Sequence, residues 1–84
     1  MSNQELLTET ANAVESTRKR AGRTKRWLSD ETGIPYPTLN RKVAAKTEFT
    51  FTELFKIAEA LGVSPAEFTP IAFTRTVRTD GKAA

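Results

Sequence analysis

The sequence predicts an all-α domain built around a helix-turn-helix, and three observations carry that prediction. Between Thr24 and Val43, two short helical patterns flank a tight turn at Gly33. Upstream, a helical stretch runs from Ser2 to about Ala21. Downstream, two Ser/Thr-x-x-Glu signatures each announce another helix start.

The first helix opens on Ser2-x-x-Glu5, a capping box. Its apolar stripe, Leu7, Ala11, Val14 and Ala21, has helical spacing but is thin, and Arg18 interrupts it. Leu6 and Ala13 fall off the stripe. They are read as a broad core face; the alternative is that the first ten residues contact a partner or second subunit. Gly22 ends this helix, and Arg23 leads to Thr24.

Thr24 supplies an N-cap oxygen, and no Gly or Pro interrupts Lys25 to Thr32. Gly33 stands where a helix ends on a residue of positive φ. Pro35 and Pro37 bracket the next start, since a first turn tolerates the missing N–H. Leu28, Ile34, Leu39 and Val43 are expected to face inward, leaving Tyr36, Pro37, Thr38, Asn40 and Arg41 outward. Lys25 and Arg26 at the positive end of a helix dipole cost about 0.3–1 kcal/mol each. A phosphate there would reverse the sign. Trp27 is expected to pack against the first helix or the C-terminal tail rather than to stack on a base.

Ala44 to Glu48 reads as a loop exposing Lys46. Thr50-x-x-Glu53 caps a helix through Leu61, with Phe51, Leu54, Phe55, Ile57, Ala58 and Leu61 as a wide core face, and Gly62 stops it. Ser64-Pro65-Ala66-Glu67 is a third capping box, opening a short helix that holds Phe68 and either kinks at Pro70 or ends at Thr69. Residues 1–73 thus form the predicted domain. Residues 74–84 are an extended or disordered basic tail, with three competing uses: a dimerising strand, an arm along DNA, or a linker.

Composition narrows the chemistry. The chain has 84 residues, no Cys and no His, so disulfides, thiolate nucleophiles, the commonest metal ligand and the usual neutral-pH base are missing. Asp30 and Glu31 are adjacent, about 100° apart around a helix, and form no paired-carboxylate site. No enzyme activity, catalytic residue, metal or cofactor is expected. With no long apolar run and no leader pattern, the sequence predicts a cytoplasmic, non-membrane protein. The net charge of +3 is unevenly spread: residues 18–46 carry nine Lys/Arg against Asp30 and Glu31. That places positive charge on the helix-turn-helix, as approach to a polyanion requires.

Leu28-Ser29, Gly33-Ile34 and Thr38-Leu39-Asn40-Arg41 match in spacing the lambda-repressor-like (Cro/CI/XRE-type) helix-turn-helix family, which this chain resembles. The run Phe51 to Phe68 is similar to that family's fourth and fifth helices, so the resemblance spans roughly residues 11 to 70. It implies a compact five-helix bundle that binds double-stranded DNA as a small phage or bacterial regulator, repressor or Cro-like, with the helix at about 36–44 in the major groove. Carried over position by position, Tyr36, Pro37, Thr38, Asn40 and Arg41 would read bases. Thr24, Lys25, Arg26, Lys42 and Lys46 would touch phosphates. Tyr36 and Pro37 depart from the polar side chains the family commonly has there. One such module buries little surface, so a homodimer on a palindromic operator is expected, formed in solution or only on DNA. The rival expectation is a protein-interaction module, such as an antitoxin or docking domain, using the acidic first helix or the tail.

Overall fold

The computed structural model describes residues 3–68. They form four α-helices, α1 (Asn3–Arg20), α2 (Lys25–Thr32), α3 (Tyr36–Val43) and α4 (Phe51–Leu61), followed by a single 3-10 turn, Pro65–Phe68. The all-helical prediction holds, but the fifth element is this 3-10 turn and not an α-helix. Ser64 explains part of the difference. Its hydroxyl accepts from the Ala66 N–H at 3.2 Å, and Glu67 is not folded back as a capping partner but lies 3.7 Å from Arg20. The Ser2 cap, the predicted reach beyond Phe68 and the whole 74–84 tail lie outside the described residues.

Local signals set the helix ends. Thr24 Oγ1 accepts from the Trp27 N–H at 3.0 Å, and Thr50 with Glu53 forms a full reciprocal capping box. Gly33 closes α2 at φ 79°, donating its N–H to Ser29 O. After α3 the chain turns left-handed at Ala45, φ 62°, while Ala45 N–H bonds Lys42 O and Lys46 N–H bonds Arg41 O. That is a Schellman closure made without glycine, at a cost of about 1–2 kcal/mol for the Cβ.

One core joins the elements: Val14 of α1, Leu28 of α2, Ile34 of the turn, Leu39 of α3, Ile57 and Ala58 of α4, and Phe68 of the 3-10 turn. Trp27 packs partly buried against it. Three predicted core positions fail: Ala21, Phe51 and Phe55. Ala21 is exposed because α1 has already ended, and Thr17 is buried one turn earlier in its stead. On α4 the inward stripe is Leu54, Ile57, Ala58 and Leu61. Phe55 is turned about 100° from Leu54 and is 50% exposed, while Phe51 at the helix start is 81% exposed. These two rings line an open apolar groove of about 570 Å³ with Leu6, Phe49 and Phe68.

Two ion pairs among the described residues are largely shielded from solvent. Arg18 Nε lies 2.8 Å from Glu15 Oε2 while its Nη1 donates to Arg23 O at 2.6 Å, pinning the end of α1 to the next loop. This is why a cation sits within the thin apolar stripe. Lys42 Nζ meets Glu53 Oε1, which also accepts from the Thr50 N–H at 2.7 Å. The Arg18 hydrogen bond holds the Glu15 carboxyl below its ordinary 4.5, outweighing burial, with help from the charges of Arg18, Lys25 and Lys19. Burial alone would raise Glu53, but the bonds from Lys42 and Thr50 prevail and it too is lowered.

Because both folded values are depressed, the stabilisation they provide is complete above the unfolded value. It drains away as pH falls through the folded values. Thermal melts are therefore expected to be flat from about pH 7 to about pH 5 and to decline below about pH 4.5. Glu53→Gln should lower the midpoint at neutral pH and make the acid decline shallower; an unchanged acid slope would show that Glu53 does not carry it.

Candidate nucleic-acid interface

The turn between α2 and α3 is held by side chains as well as by backbone. Ser29 Oγ donates to Ile34 O at 2.6 Å, and Thr32 Oγ1 donates to Leu28 O at 2.7 Å while accepting from the Ile34 N–H at 3.3 Å. All three groups are buried, so the angle between the helices is fixed by satisfied polar contacts in addition to Leu28, Ile34 and Leu39. A short polar helix is thereby presented on a rigid support.

The five expected base readers do not stand equally free. Pro37 and Arg41 are exposed; Tyr36 and Thr38 are half-buried on the same stretch of α3. Asn40 is also half-buried, and its Oδ1 is enclosed without a hydrogen-bond partner. It does not simply look outward as predicted. Asn40 follows the fully buried Leu39 and lies three residues before the partly buried Val43, so it flanks the inward face. An unpaired buried carbonyl costs about 1–3 kcal/mol, and a two-bond contact to adenine would need Oδ1 to come out.

Of the expected phosphate contacts, Thr24 is exposed, and its capping bond uses Oγ1 as an acceptor only, leaving the hydroxyl proton to donate. Lys25 is half-buried and Lys46 exposed. The first N–H groups of α2, the helix that Lys25 opens, lack intrahelical acceptors. Lys42 is placed differently from these. Its side chain is only 11% exposed, with its ammonium committed to Glu53, eleven residues on and invisible to any local pattern. It braces α3 against the start of α4 and is not turned to solvent.

Two cations lie on aromatic faces. The Arg26 guanidinium carbon is 4.1 Å from the Tyr36 ring centroid, and that of Arg23 is 4.3 Å from the Trp27 ring. Arg23 was not among the expected contacts. The signal that could have found it is the i, i+4 spacing to Trp27 at a helix start. Among the described residues there is no cluster of His, Cys, Asp and Glu able to hold a metal, and no helix long and apolar enough to cross a membrane.

Residues 14–68 match the sequence profile of the helix-turn-helix family. No curated protein and no solved structure matches the chain. The match takes in α2, the locked turn, α3 and α4, together with the part of α1 and the 3-10 turn that bury against them. With nearly two-thirds of its length in that match, the chain belongs to the Cro/CI/XRE-type helix-turn-helix family of DNA-binding transcription regulators.

Proposed function

We propose that the chain is a small prokaryotic or phage transcriptional regulator, a repressor or Cro-like switch protein. It sets α3 in the major groove of its operator and works in the cytoplasm without cofactor or catalytic activity. The observation that carries this reading is Arg41. It is exposed on a helix braced by buried hydrogen bonds, with Pro37 also exposed and Tyr36 and Thr38 part-exposed nearby. Its guanidinium can donate two hydrogen bonds to O6 and N7 of guanine. Thr24, Lys25 and Lys46 are assigned to phosphates, which fix register without reading sequence. Lys42 is withdrawn from that set. Two copies on a palindrome, with half-sites about 34 Å apart, would supply the surface that one copy lacks.

The test is selection from random duplexes, followed by titration of the selected site at rising salt. The expected outcome is a two-fold symmetric site and a log–log salt slope of about −0.9 for each phosphate contact. Lys25→Ala or Lys46→Ala should each make the slope shallower by about that amount, while Lys42→Ala leaves it alone. No duplex binding at low salt would reject the reading. A second reading, a protein-docking module, is favoured by one observation, the open apolar groove with Phe51 and Phe55 at its edge. Binding that ignores DNA and is lost on Phe51→Ser would support it.

A further inference from the structure

We propose that Arg26 is a guanine-reading residue and that Tyr36 is the platform that positions it. The inference rests on the DNA-binding reading above and changes the part each residue plays within it. Position alone makes Arg26 a phosphate contact, because it is the second residue of α2 and would reach outward from the helix start. The side chain does not do that. It crosses to α3 and lies over the Tyr36 ring, 4.1 Å from the centroid. Tyr36 is the first residue of α3, so the guanidinium is held beside the end of the helix that meets base edges when α3 enters a groove.

The geometry suits readout. A guanidinium stacks on a ring through its flat face, leaving the in-plane N–H donors free along its edge. Two parallel donors in that edge match O6 and N7 of guanine. The ring also removes rotamer freedom before DNA arrives, so less is lost when the two bonds form. Lysine has neither the plane nor the fork, and cannot substitute. Tyr36, with one face covered by Arg26, acts through that neighbour as a positioning residue. The face that Arg26 covers is not free to meet a thymine methyl.

The experiment uses the full chain and the operator selected from random duplexes. It measures affinity for that operator, for each single-base substitution of it, and for an unrelated duplex. Arg26→Ala and Arg26→Lys are each expected to lose roughly five- to a hundredfold on the operator and to flatten preference at one guanine. The unrelated duplex should change far less. Tyr36→Ala should flatten the same guanine position, and Tyr36→Phe should rescue it, because the platform is the ring and not the hydroxyl. With Arg26 already Ala, Tyr36→Ala should add little at that position. Arg26 is exposed, so its variants test binding without disturbing the core, and unchanged melting temperatures check this. Equal losses on every sequence would make Arg26 a phosphate contact and overturn the proposal. So would effects of Arg26 and Tyr36 at different base positions. Failure of the unaltered chain to bind any duplex would instead remove the DNA-binding reading itself, and this inference with it.

Discussion

Phe68→Ala is expected to lower the unfolding free energy by about 3–5 kcal/mol, the range for removing a buried aromatic ring. Phe68 is 1% exposed and is the one residue of the 3-10 turn that enters the core, among Val14, Leu28, Leu39 and Ile57. It closes the far side of the bundle, where the turn packs on α1 and α4. A domain of this size has about 5–15 kcal/mol in all, so the loss takes a large share. At about 4–8 °C per kcal/mol, the melting midpoint should fall by more than 10 °C. Phe51→Ala is the control. The same substitution at a ring 81% exposed should stay within about 0.5 kcal/mol. Urea unfolding of both variants decides the matter: equal losses would mean that Phe51 is covered by something beyond residues 3–68, and the open groove would not be open.

Arg41→Ala should leave the melting midpoint unchanged and cost about 1–3 kcal/mol on the selected operator, confined to one base position. Lys25→Ala should weaken operator and unrelated duplex alike. The contrast follows from placement. Arg41 is exposed one turn into α3, where in the proposed docking an edge-on fork would meet a base, whereas Lys25 is a point charge at the start of α2, which in that docking would lie across the backbone. Binding measured on the operator and on its single-base variants separates the two. Sequence-blind losses from both changes would mean that the roles have been assigned to the wrong residues.

Much of this architecture was legible because its signals are short-range. Thr24, Gly33, Thr50 and Gly62 each act on groups within four residues, and each does in the structure what its type and position imply. The inward set Leu28, Ile34 and Leu39 was equally readable, since each is an apolar residue set among mostly polar neighbours, one in α2, one in the turn and one in α3. Phe51 and Phe55 were misread because an apolar residue type says that burial is favourable, not that a neighbour exists to provide it. The pairing of Lys42 with Glu53 was not legible because that partner is a helix away. Asn40 sits at the margin between two faces, where a small rotation of α3 decides what its amide meets.

The order of helices, their caps, the turn and the concentration of positive charge are properties of the chain as written, because each depends on neighbours a few residues apart. Which cations remain free, which aromatic rings are covered, and that Arg26 lies on Tyr36 were decided only by tertiary packing. Those outcomes depend on the distance between side chains that the sequence places ten or more residues apart, and no local pattern specifies that distance.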